Sequence, residues 1–134
     1  MNKINWNFEN TYSNLSSSFK QDINPVPVKN PELILLNKNL ASLLDLDFSK
    51  TSTLELSKIF SGNCLPNGTK SIAQAYAGHQ FGNFTMLGDG RAVLIGEHTN
   101  KLQKKYDIQF KGSGKTAFSR NGDGRAALGP ILRE

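Results

Sequence analysis

One pentapeptide occurs twice in this chain, as Gly88-Asp89-Gly90-Arg91-Ala92 and again as Gly122-Asp123-Gly124-Arg125-Ala126. Glycine permits tight bends and lets peptide amides approach a ligand, and arginine adds a fixed positive charge. Between the copies, residues 106–111 alternate cleanly. Tyr106, Ile108 and Phe110 fall on one face, and Asp107, Gln109 and Lys111 on the other. That strand runs directly into Gly112-Ser113-Gly114. Either pentapeptide alone is ordinary turn chemistry. Two of them around a strand ending in lysine are expected to form a cradle for phosphate. The flanks of the copies do not repeat, so a solenoid is excluded.

The strands around the bends predict an antiparallel meander. Residues 84–87 form one strand, Gly88-Asp89-Gly90 the turn, residues 91–97 the second strand and residues 106–111 the third. Pro130 fits the first position of a closing helix, with Gly129 as its cap and Glu134 in its first turn. Upstream, residues 71–76 carry Ala73 and Ala75 and are expected to be helical before Gly78-His79-Gln80-Phe81-Gly82 returns to extended backbone. Ser52-Thr53-Leu54-Glu55 is a capping box that opens a short helix ending before Gly62. Asn37 caps another helix, which follows an apolar strand candidate over residues 31–36. Residues 1 to about 30 read as an irregular or extended arm lying on the rest, anchored by Trp6, Phe8, Tyr12 and Phe19. The chain divides into an arm with short helices, residues 1–70, and a lobe, residues 71–134.

Composition limits the functional classes. The chain has 134 residues, a net charge of +5 and a pI near 9.4. This length suits one domain, or one lobe of a larger one. The hydrophobic content of 37% and mean hydropathy of −0.42 lie toward the polar end for a stand-alone globule. The charge favours an anionic partner, but the lysines form no stripe, which argues against a nucleic-acid groove. With Cys64 as the one cysteine, an intrachain disulfide and a Cys-based zinc site are excluded, and His79 and His98 show no metal-ligand spacing. Cys64 is expected to be buried or half-buried. No segment approaches the ~18 apolar residues of a membrane span, and no targeting pattern opens the chain. The expected setting is cytoplasmic, without membrane or nucleic-acid partners; the oligomeric state stays open.

The order of elements is strand, glycine turn, strand, strand ending in lysine, then a helix carrying glutamate. It is the order of a protein-kinase small lobe. Lys111 and Glu134 are the candidates for the phosphate-binding lysine and its supporting ion pair. Gly112-Ser113-Gly114-Lys115-Thr116 is not a P-loop, because Gln109 stands where that signature requires glycine, and Lys115 belongs on a solvated turn. His79, alone among small residues, is expected to be a structural hydrogen-bonding group.

Taken together, these stretches resemble the SelO/YdiU family of pseudokinase-fold protein nucleotidyltransferases. The resemblance is carried by Asn63-Cys64-Leu65-Pro66, residues 75–82, residues 87–92, Gln109-Phe110-Lys111-Gly112-Ser113-Gly114, residues 119–126 and Leu132-Arg133-Glu134. It implies an α+β, kinase-like N-terminal lobe with an antiparallel sheet behind an extended and helical N-terminal segment, and an incomplete domain. It also implies transfer of AMP from ATP, or UMP from UTP, to Ser, Thr or Tyr hydroxyls of proteins, with the nucleotide reversed relative to ordinary kinases. By motif, Gly88, Gly90 and Arg91 contact the phosphate end, Lys111 binds phosphate and pairs with Glu134, and Asp123 and Gly124 complete the nucleotide site. The family's catalytic Asp and its ligands for Mg²⁺ or Mn²⁺ are expected downstream of this chain. The expected object is therefore an N-terminal portion, inactive alone, with a non-catalytic nucleotide- or anion-binding module or a decayed remnant as the alternative.

Overall fold

The computed structural model describes residues 4–133, so Glu134 and its expected ion pair lie outside the described residues. In chain order the elements are β1 (Phe8–Glu9), β2 (Lys20–Asp22), α1 (Lys38–Leu43), α2 (Thr53–Phe60), β3 (Ile72–Gln80), β4 (Asn83–Gly88), β5 (Ala92–Thr99), β6 (Lys105–Lys111) and α3 (Leu128–Arg133). The six strands form one antiparallel sheet. The class is α+β.

β5 is buried along its whole length and organises the sheet. β6 pairs along one edge, with Phe110 opposite Val93 and Lys111 opposite Ala92. A bulge at Ile95 shifts the register, so that Gly96 faces Ile108 and His98 faces Tyr106. The inward face of β6 is Tyr106, Ile108 and Phe110, as its alternation predicts. Val93, Ile95 and Phe110 form one core cluster. Tyr106 and Ile108 also pack on a second, built from Ala41, Leu44, Leu46, Phe48 and Leu56. The helices thus cover this face of β6, while Gln109 and Lys111 point to the other. α1 is capped by Asn37, whose side chain accepts from the Leu40 amide, and α2 by the full Ser52–Glu55 box.

Several expectations fail for identifiable reasons. Residues 71–76 are not helical: the alanines lie in β3, held by β2 on one edge and by β4 and β5 on the other. Tertiary pairing overrides the helix propensity of alanine. The meander is also wrong, because β4 and β5 do not pair with each other. β4 makes a hairpin with β3 through Phe81 and Gly82, both at positive φ, the geometry of a type I′ turn. β3 then continues onto β5, with Ile72 opposite Leu94. Three residues more than an unbroken ladder would need lie between Gly88 and Leu94. The first Gly-Asp-Gly bend is therefore a loop pushed out of one long interrupted strand.

Residues 31–36 join no ladder. α3 begins at Leu128, two residues before Pro130, so Gly129 lies inside it instead of capping it. The arm does more than lie on the sheet, since β1 and β2 are strands of it. Of its expected anchors, Trp6 and Phe8 pack on the core, whereas Tyr12 and Phe19 are exposed. Cys64 is exposed. The His79 ring packs edge-on against Phe84, and its nitrogens make no hydrogen bond among the described residues. His98 takes the structural role instead: its Nδ1 accepts from the Asn7 amide, so Nε2 is the nitrogen that donates to the Leu44 carbonyl, at 2.7 Å.

Replacing Ile95, fully enclosed in the core, with alanine should cost about 3 kcal/mol through lost burial and a cavity. Leu54→Ala on the exposed face of α2 should stay within about 0.5 kcal/mol. Ser52→Ala should cost about 1 kcal/mol by opening the capping box. Urea midpoints of the three variants measure this ranking.

Candidate functional site

The sheet face opposite the helices opens onto a cleft of about 720 Å³. Its walls include Gly90 and Arg91 from the first bend, Lys111 from the end of β6, and Asp123 and Gly124 from the second bend. Sequence reasoning singled out these five, and the fold brings them around one space. Gly88 does not line the cleft. A Cβ there would strike the Phe118 ring at 2.3 Å, so its glycine serves packing.

Segment 112–125 folds back across the end of β6 and sets the second bend beside the first. Gly112 follows Lys111 at φ +74 and donates its amide to the Arg91 carbonyl, at 2.6 Å. Gly114 donates to the Gly124 carbonyl, at 3.1 Å. A Cβ on Gly124 would lie 1.9 Å from the Gly114 oxygen, and Gly124 is itself at φ +71. Backbone therefore meets backbone where no side chain fits. Thr116 and Ser119 tie this segment to the first bend through their hydroxyls. Thr116 Oγ1 donates to the Asp89 carbonyl at 2.6 Å and Ser119 Oγ to the Gly90 carbonyl at 2.5 Å.

Asp89 repairs the ladder where the loop interrupts it. Its amide donates to the Gln74 carbonyl at 2.9 Å, and its carboxylate accepts from the Gln74 amide at 3.0 Å. A side chain thus replaces the missing strand carbonyl. Burial pushes the Asp89 carboxyl above its ordinary value, against the lowering effect of the Gln74 amide. Asp123 acts locally, accepting from the amide of Arg125 at 2.8 Å, the pattern of an Asx turn.

Sequence reasoning missed Tyr76, Gln109, Arg120 and Arg125, which also line the cleft. Gln109 was legible, since it shares the outward face of β6 with Lys111. Tyr76 was hidden by the helical reading of its segment. Arg120 sits at φ +55 with its guanidinium 6.0 Å from the centre of the Phe81 ring, a contact between distant segments. Four cationic residues, Arg91, Lys111, Arg120 and Arg125, line the cleft together with two acidic ones, Asp89 and Asp123.

The family described as "Protein adenylyltransferase SelO" matches residues 2–134. The chain belongs to the SelO family. It is 68% identical over 131 residues to the protein nucleotidyltransferase YdiU of Pelagibacter ubique (strain HTCC1062), a match covering 98% of this chain and 27% of that relative. The YdiU protein of Nitrosococcus oceani is 58% identical over 131 residues, again 98% of this chain and 27% of the relative. That of Brevibacillus brevis is 54% identical over 129 residues, 96% of this chain and 26% of the relative. The chain therefore spans about a quarter of the length of these SelO-family relatives. No helix among its described residues is long and apolar enough to cross a membrane.

Gly124→Ala should destabilise the protein by more than about 3 kcal/mol, combining a backbone clash with strain at positive φ. Gly129→Ala, with open space around the added methyl, should be neutral or stabilising. Thermal midpoints of the pair test the contact. A second prediction concerns acid. The raised Asp89 carboxyl stabilises the fold fully below its unfolded value, near 3.8, and that contribution is lost as pH rises through the higher folded value. Asp89→Asn keeps an acceptor for the Gln74 amide and does not titrate. Its stability relative to the parent protein should rise between pH 3 and 6, as measured by urea unfolding across that range.

Proposed function

We propose that this chain is the nucleotide-binding part of a protein nucleotidyltransferase that moves AMP from ATP, or UMP from UTP, onto Ser, Thr or Tyr hydroxyls. Family membership supports the reaction class. The cleft supports the location. The single observation carrying it is how the first bend is wired. The carbonyls of Asp89, Gly90 and Arg91 all accept hydrogen bonds, from Thr116, Ser119 and Gly112 respectively. Among the described residues nothing accepts from the amides of Gly90 or Arg91, which leaves two peptide donors beside the Arg91 and Lys111 cations. Amide donors with fixed cations and few competing carbonyl acceptors suit a polyphosphate.

The topology supports a kinase-like lobe. The β3–β4 hairpin, with glycines at 78 and 82, corresponds to the hairpin that covers the phosphates in kinases, and β6 to the strand bearing the lysine. In this reading Gly90, Arg91, Lys111, Asp123 and Gly124 contact the nucleotide, Gly88 shapes the bend, and Glu134 braces Lys111. Residues 71–134 form the binding lobe and residues 1–70 buttress it. A divalent cation, Mg²⁺ or Mn²⁺, would supply charge neutralisation for the phosphates. Among the described residues no three His, Cys, Asp or Glu side chains cluster to hold it. The chain's own contribution is to bind and orient the phosphates, and positioning of this kind supplies much of the rate in such transfers.

The test uses the full-length protein with ATP labelled at the α- or the γ-phosphate. The α-label should pass to protein hydroxyls. Arg91→Gln should weaken nucleotide binding by about 10- to 100-fold, the loss of one charge-assisted contact. Charge reversal by Lys111→Glu should weaken it further. Transfer of the γ-label would make the protein an ordinary kinase, and binding without transfer would make it a non-catalytic module.

A further inference from the structure

The two copies of the pentapeptide place their arginines in different jobs. Arg91 is exposed at the cleft and makes no side-chain hydrogen bond or ion pair among the described residues. Arg125, half-buried, extends its guanidinium across two separate chain segments. Nη2 donates to the Val26 carbonyl at 3.2 Å, and Nη1 donates to the Gly112 carbonyl at 3.4 Å. Val26 belongs to the N-terminal arm, and Gly112 immediately follows Lys111.

The arm is itself fixed at this point. The Val26 amide donates to the Ser113 carbonyl at 2.8 Å, and the Asn63 side chain exchanges two hydrogen bonds with the backbone of Val28, at 2.9 and 2.7 Å. A Cβ on Gly114 would strike Val26 at 2.5 Å, so the arm lies directly on the turn that follows Lys111. Arg125 closes the circuit between the second bend, that turn and the arm. The forked, planar guanidinium reaches the two carbonyls from two separate nitrogens, whereas an ammonium carries its three donors on one nitrogen at the end of a shorter, differently shaped stem.

We propose that Arg125 is a positioning residue: it clamps the arm to the turn after Lys111 and so sets where the Lys111 ammonium stands in the cleft, while Arg91 meets the anion directly. This rests on the cleft being the nucleotide site. Identical pentapeptides thus do unequal work, one on the ligand and one on the backbone that carries the ligand's lysine.

The experiment compares the full-length protein with its Arg125→Lys, Arg125→Gln and Arg91→Gln variants, by amide hydrogen exchange without ligand and by titration with Mg·ATP. Both Arg125 variants should speed exchange at the amides of Val26 and Gly114 and weaken Mg·ATP by about tenfold, the cost of a misplaced lysine. Arg91→Gln should weaken Mg·ATP and leave that exchange unchanged. A merely electrostatic Arg125 would be replaced by lysine without loss, so parental exchange and affinity in Arg125→Lys would overturn the proposal. Unchanged exchange in Arg125→Gln would overturn it too. A parent protein that ignores Mg·ATP, while its Arg125 variants exchange faster at those amides, would defeat the nucleotide reading and support the clamp.

Discussion

Gly114 and Gly124 meet backbone to backbone, and the cleft depends on that contact. The Gly114 amide reaches the Gly124 carbonyl at 3.1 Å, with room for no side chain on Gly124. The approach brings the second bend against the turn that ends β6. Without it, the second bend would not be held against the end of β6, and Asp123 and Arg125 would lose their fixed relation to Lys111. Glycine is required twice over, by the space and by the positive φ of both residues.

The first bend depends on a different device. A loop forced out of a strand leaves ladder groups without partners, and buried backbone groups left unpaired are costly. Asp89 answers this with one amide and one carboxylate, both directed at Gln74. Thr116 and Ser119 then take up the carbonyls on the loop's far side. The result is a loop held from both flanks, in which the amides of Gly90 and Arg91 find no acceptor among the described residues. The cleft on one sheet face is supported by burial on the other, where the apolar side of β6 rests on α1, α2 and the segment between them.

Part of this was legible in the residues. The alternation of 106–111 named both faces of β6, and with them the side on which Gln109 and Lys111 stand. The capping box named the start of α2 to the residue. Glycines and cations named four of the cleft's walls, and the Asp of the second bend a fifth. The β3 strand was not legible, because alanines favour helix locally and only strands from residues 20–22, 83–88 and 92–99 supply the pairing that overrules them. The meander failed for a related reason: an Asp-Gly bend between two apolar runs looks like a hairpin turn whether or not the runs pair with each other.

The sequence by itself determined the local grammar of this protein. Which bends need glycine, which face of a strand is apolar and where a helix can begin all follow from interactions spanning a few residues. Family membership could be read from it as well, because the order of those short motifs is specific. Only the tertiary structure decided that one Gly-Asp-Gly loop interrupts a strand while the other folds over a lysine, and that Arg91 and Arg125, identical in their neighbours, have different partners. Those outcomes depend on contacts between residues up to 99 positions apart, such as Arg125 with Val26. Local propensity holds no record of which distant carbonyl a guanidinium will find.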